Sequence, residues 1–85
     1  MVEPRETRVK RLKMRAMRRG IREMDLILSA YADARLETMN EGELNLFDQL
    51  LGENDQDLYA WVTGQSPAEG VYAAMVDDIA ENYQK

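Results

Sequence analysis

The stretch Arg18-Arg19-Gly20-Ile21-Arg22-Glu23-Met24-Asp25 divides the chain, because a strongly basic segment gives way there to an acidic one, at a glycine. Residues 1–22 hold nine of the eleven Lys and Arg residues against two acids, Glu3 and Glu6, whereas residues 23–85 hold Arg35 and Lys85 against fourteen acids. The two parts are formally +7 and −12, a polarity that the overall −5 conceals. Upstream of the boundary, Val9, Leu12 and Ala16 recur at helical spacing, with Met14 and Met17 nearby, and predict a first helix from about Arg5 to Arg18. Gly20 tolerates positive φ and is expected to stop that helix. Downstream, Met24, Ile27, Leu28 and Tyr31 make the apolar stripe of a second helix over about Ile21–Leu36.

The same period continues to the end of the chain. Asn40 with Glu43 three residues on reads as a capping box, opening a third helix whose core face is Leu44, Phe47, Leu50 and Leu51 and which Gly52 closes. Asn54 or Asp55 opens a short fourth helix carrying Leu58, Trp61 and Val62, and Gly64 ends it. Ser66, Pro67 and Glu69 read as N-cap, first helical residue and reciprocal cap of a fifth helix, in which Tyr72, Met75, Val76, Ile79 and Tyr83 face the core. Five helices on short connections predict an all-α, small five-helix bundle, one domain over residues 1–85 with residues 1–7 frayed.

Composition narrows the chemistry. Cysteine and histidine are both absent, which removes disulfides, thiolate sites, the commonest general base and the commonest metal ligand. No apolar run approaches the ~20 residues of a membrane span, and residues 1–22 contain no apolar leader segment. These features are read as a bacterial cytoplasmic protein without membrane insertion, expected to be a monomer.

Arg8, Arg11, Arg15, Arg18, Arg19 and Arg22 fall mostly along one helical face, with Lys10 and Lys13 adding charge elsewhere. Like charges at that spacing repel, so something compensates them. Pairing with the acidic remainder of the domain is one answer, and a partner surface or anionic ligand is another, since arginine predominates over lysine and favours bidentate contacts. A nucleic-acid-binding or regulatory adaptor acting through the basic first helix is the alternative, although this helix has no aromatic residue. Local physics accounts for Gly20 and Glu23 as a helix cap and a carboxylate near a helix N-terminus, where it pairs with Arg19 or Arg22. The acids Glu53, Asp55 and Asp57 lack the glycine and distal glutamate of a calcium loop, and the adjacent Asp77 and Asp78 point in different directions on a helix, so both groups read as caps and solvated faces. Trp61 is either a core cap or a partner contact. No catalytic constellation is present and no metal site is expected.

The run Arg11-Leu12-Lys13-Met14-Arg15-Ala16-Met17-Arg18-Arg19-Gly20-Ile21-Arg22-Glu23-Met24-Asp25-Leu26 resembles the flavinylation-factor family, also called succinate dehydrogenase assembly factor 2, whose signature is Arg-Gly-x-x-Glu. Phe47-Asp48-Gln49-Leu50-Leu51 and Asp55-Gln56-Asp57-Leu58-Tyr59-Ala60-Trp61 are similar to two further family segments, in the family's order, and the similarity covers residues 8–83. The resemblance implies a five-helix bundle that is not an enzyme. It implies an assembly factor that binds the flavoprotein subunit of succinate dehydrogenase or fumarate reductase and promotes covalent attachment of FAD. The FAD belongs to that partner and is not expected to bind tightly here. The resemblance places the partner-binding function on Arg19, Gly20 and Glu23, with Arg18 and Asp25 nearby. Arg15, Arg22 and Trp61 complete the expected partner-binding set.

Overall fold

A computed structural model describes residues 3–83. Five α-helices and no strand occur among the described residues. They are α1 (Arg5–Met17), α2 (Arg22–Arg35), α3 (Glu41–Leu50), α4 (Asp55–Val62) and α5 (Ala73–Tyr83), with 3-10 turns at Leu36–Thr38 and Gly70–Tyr72. The expected all-α bundle is thus the observed one. Each helix buries the stripe its periodicity marks: Val9, Leu12 and Ala16 from α1, then Met24, Ile27, Leu28, Tyr31 and Ala32 from α2. From α3 come Leu44, Phe47 and Leu50, from α4 Leu58 and Val62, and from α5 Met75, Val76 and Ile79. These side chains form one contiguous core. Helix α2 is its spine, packing against α1, α4 and α5. Phe47 of α3 meets Tyr31 of α2 ring to ring, with centroids 5.9 Å apart. Burying a ring of that size contributes about 1.5–3 kcal/mol, and the tilted pair adds to it.

The helix ends show where local signals hold and where they fail. Asn40 accepts from the Glu43 backbone N–H at 2.8 Å while the Glu43 carboxylate accepts from the Asn40 N–H at 3.0 Å, so the capping box is complete. Asn54 caps α4 by accepting from the Gln56 N–H at 2.8 Å. At the far end of α4, Gly64 has φ 81°, and the Gln65 and Gly64 N–H groups reach back to the Ala60 and Trp61 carbonyls at 2.8 and 3.3 Å. That is a Schellman closure, and the Ser66 N–H joins it on Ala60 at 3.3 Å. Ser66 is therefore engaged in ending α4 and does not cap α5, contrary to the expectation from Ser66-Pro67-Glu69. The chain turns helical only at Gly70, after Glu69 in an extended conformation (ψ 146°). Tyr83 also departs from expectation: it stands about half exposed, one turn past Ile79, where the helix outruns the core.

The N-terminal segment is tied down from Glu3 onward. Glu3 accepts from Arg11 Nε and Nη2, both at 3.1 Å, and Arg5 donates to the Met39 and Glu37 carbonyls. Residues 1 and 2 lie outside the described residues.

Candidate functional site

Helix α1 ends at Met17 and α2 begins at Arg22, so Arg18–Ile21 form a four-residue turn. Gly20 does not have positive φ there; among the described residues only Gly64 does. What Gly20 provides is closeness. Its N–H donates to Asp55 Oδ2 at 2.6 Å, and a Cβ added to it would lie 3.3 Å from the same oxygen. The Ile21 N–H donates to that oxygen too, at 3.2 Å. Asp55 is the first residue of α4, so a carboxylate from a distant helix takes up the backbone N–H groups of the turn. Its other oxygen, Oδ1, accepts from Arg19 Nε at 2.6 Å and lies 2.6 Å from Arg19 Nη2. Arg19 also donates through Nη1 to the Leu51 carbonyl at 2.6 Å and through Nη2 to the Glu53 carbonyl at 3.0 Å. Only 10% of the Arg19 side chain and 15% of the Asp55 side chain remain exposed, so this pair is an internal clamp. Asp25 completes it by accepting from the Arg19 backbone N–H at 2.6 Å.

The residues proposed from sequence therefore separate into two groups. Arg19 and Asp25 are partly buried and, with the N–H of the exposed Gly20, hold the turn. Arg15 is paired with Asp48 of α3. Arg18, Arg22 and Glu23 are exposed and make no ion pair or side-chain hydrogen bond with another described residue. Glu23 pairs with neither Arg19 nor Arg22: Asp55 and two carbonyls occupy the Arg19 guanidinium, and no ion pair joins Glu23 to Arg22. Trp61 lies six residues along α4 from Asp55, about 9 Å of helical rise. It is half-buried against Tyr72, with ring centroids 5.9 Å apart, and belongs to the opposite end of that helix.

The basic face of α1 is largely neutralised within the molecule. Arg5 and Arg8 pair with Glu41, Arg11 with Glu3 and Asp48, and Lys13 with Asp33 and Glu37. Left without an internal ion partner among the described residues are Lys10, Arg18 and Arg22. With most of its cations so engaged, the basic helix does not present the charged footprint that the nucleic-acid adaptor reading needs. Of the acids outside the turn, Glu53 accepts from the Tyr72 hydroxyl at 3.0 Å, and Asp78 from the Tyr31 hydroxyl at 2.8 Å and Arg35 at 2.7 Å. Sequence reasoning missed the role of Asp55 in the turn. Nothing local marks a contact across 34–36 residues, and the same residue is fully explained as an acid at a helix N-terminus.

Beside the turn, Thr7, Lys10, Arg11, Met14, Arg15 and Arg18 line an open concavity of about 550 Å³. Met14, Met17 and Leu26 are each more than half exposed on these two helices. Residues 10–83 match the family described as flavinator of succinate dehydrogenase. The chain belongs to this family. Among curated relatives, it is 43% identical over 75 residues to succinate dehydrogenase assembly factor 2, mitochondrial, of Aspergillus terreus, covering 88% of this chain and 25% of that protein. The protein of the same name in Danio rerio is 37% identical over 78 residues, covering 89% of this chain and 49% of the relative. That in Saccharomyces cerevisiae strain YJM789 is 46% identical over 61 residues, covering 72% and 38%. The chain thus spans between a quarter and a half of these relatives' length. Flavinator-family relatives named as mitochondrial overturn the expectation of a bacterial cytoplasmic protein. That expectation rested on the lack of an apolar span and of an apolar leader segment, and hydropathy does not distinguish one aqueous compartment from another.

Proposed function

We propose that this chain is an assembly factor that docks on the flavoprotein subunit of succinate dehydrogenase and favours the covalent attachment of FAD to it. The observation that carries the proposal is the turn of a flavinator-family chain that presents Arg18, Arg22 and Glu23 exposed and without an ion partner among the described residues, on a backbone clamped from within. Unpaired charges on a fixed base suit ionic recognition of another protein, and the exposed Met14, Met17 and Leu26 supply apolar contact beside them. The chain contains no histidine and offers no nucleophile paired with a base, so its contribution is to conformation. Preferential binding to the flavoprotein conformer in which the flavin lies within reach of its acceptor raises the population of that conformer. Holding two groups in a near-attack geometry is worth up to about 7–11 kcal/mol in the best cases. In this reading the factor works as a monomer, and the FAD remains with the flavoprotein.

The test uses the purified FAD-free flavoprotein subunit, free FAD and this chain, with covalent flavin followed by its fluorescence in denaturing gels. Wild-type chain accelerates the reaction. Glu23→Ala and the Arg18→Ala, Arg22→Ala double variant melt at the wild-type temperature and accelerate it much less. Wild-type acceleration by both variants would remove these residues from the docking site.

A further inference from the structure

The docking turn is held by a residue that belongs to neither of the helices it joins. We infer that Asp55 is the positioning residue of this turn: from the start of α4 its carboxylate fixes Arg19, Gly20 and Ile21 so that Arg18, Arg22 and Glu23 meet the flavoprotein in one geometry. The inference rests on the reading that this turn docks on the flavoprotein. Its basis is the division of labour between the two carboxylate oxygens. Oδ1 serves the Arg19 side chain through Nε and Nη2, and Oδ2 serves the Gly20 and Ile21 N–H groups at 2.6 and 3.2 Å. Only an ionised carboxylate offers acceptors on both sides, whereas an amide in its place would turn an NH₂ group toward one set of donors. Arg19 extends the clamp to the Leu51 and Glu53 carbonyls, so the end of α3, the start of α4 and the α1–α2 turn move as one body. Gly20 belongs to the same device, since a side chain there would press on Oδ2 at 3.3 Å. A surface ordered before contact loses less conformational freedom on binding, which raises affinity without any contact by Asp55 itself.

The experiment compares Asp55→Asn, Asp55→Glu and Glu23→Gln in the full chain. It reads amide hydrogen exchange residue by residue and the Kd for the purified FAD-free flavoprotein subunit, well below the melting transition. Asp55→Asn is expected to keep the core amides of Leu28 and Leu44 protected, to lose protection at Gly20 and Ile21, and to bind about tenfold or more weakly, equivalent to ~1.4 kcal/mol. Asp55→Glu, which keeps both oxygens, recovers part of each. Glu23→Gln weakens binding with protection at Gly20 and Ile21 unchanged. The inference is overturned if Asp55→Asn leaves Gly20 and Ile21 protected, or if it frees them and still binds like wild type while Glu23→Gln does not. If Asp55→Asn and Glu23→Gln both bind like wild type, it is the docking reading that fails. Should Asp55→Asn not fold, Arg19→Lys takes its place, because it keeps the charge but loses the fork that joins Asp55 to the two carbonyls; wild-type affinity in that variant overturns the inference.

Discussion

Arg19 looks in the sequence like one more cation of a basic helix, yet it is the one that spends its whole guanidinium on the interior. Three carbonyl or carboxylate oxygens hold it, and its partner Asp55 is almost as enclosed. Removing it leaves a largely buried carboxylate short of its counter-ion and two carbonyls without a donor. Arg19→Ala is accordingly expected to lower stability by about 2–4 kcal/mol, read as a fall in the urea midpoint at constant slope. A midpoint within error of wild type would show that the clamp contributes nothing. The reading of Arg19 as a partner-binding residue alone predicts no such fall. Gly20 sharpens the same point. Its sequence position fits a positive-φ helix stop, but the structure gives it another reason to be glycine, the approach of Asp55. If crowding is the cause, the penalty of Gly20→Val shrinks when Asp55 is also replaced by alanine. A double-mutant cycle is expected to give a coupling of about 0.5–3 kcal/mol, and strict additivity would exclude crowding.

The helices themselves were legible because their signals are local. The stripe Val9, Leu12, Ala16 and the stripe Met24, Ile27, Leu28, Tyr31 need only a period of 3.6, and the Asn40–Glu43 box needs only three residues. The connection from α4 to α5 was misread for an equally local reason. Ser66-Pro67-x-Glu69 is a valid start signal, but Gly64 two residues earlier sets up a closure that claims the Ser66 N–H first. The clamp was not legible at all, because it joins the α1–α2 turn to a helix more than thirty residues away. Which acid meets which arginine is decided by packing that no short window contains. The closure of α4 has its own test. Gly64 has open space where a Cβ would go, so replacing it strains only the backbone at φ 81°. Gly64→Ala is expected to cost about 1–2 kcal/mol in chemical denaturation with helical content otherwise preserved. A neutral substitution would mean that the Schellman closure does not hold the end of α4.

The charge polarity that divides the chain is resolved in three dimensions, since basic α1 lies against acids of α2, α3 and the segments between them. Arg8 reaches Glu41, Arg15 reaches Asp48 and Lys13 reaches Asp33 and Glu37. The repulsion expected along α1 is offset by these pairs, and of the three cations left over among the described residues Arg18 and Arg22 lie at the α1–α2 turn and Lys10 in the middle of α1. The fold also predicts how stability responds to pH. With no histidine in the chain, no group of ordinary pKa near 6.5 titrates between the carboxylates and the tyrosines. On the alkaline side, burial first and then the hydrogen bond to Asp78 raise the Tyr31 hydroxyl well above its usual range, and burial followed by Glu53 raises Tyr72. A folded-state value above the unfolded one, about 10, means stability that is complete below pH ~10 and is lost as pH rises through the folded values. Unfolding free energy is therefore expected to decline above about pH 10, with tyrosinate absorbance growing in step with loss of helix. Tyr31→Phe removes the larger of these two shifts while Arg35 still pairs with Asp78 at 2.7 Å. Its alkaline limb should be shallower than that of wild type. Superimposable limbs would mean that the Tyr31 hydroxyl titrates alike in the folded and unfolded chain, and that the contact with Asp78 does not hold α2 against α5.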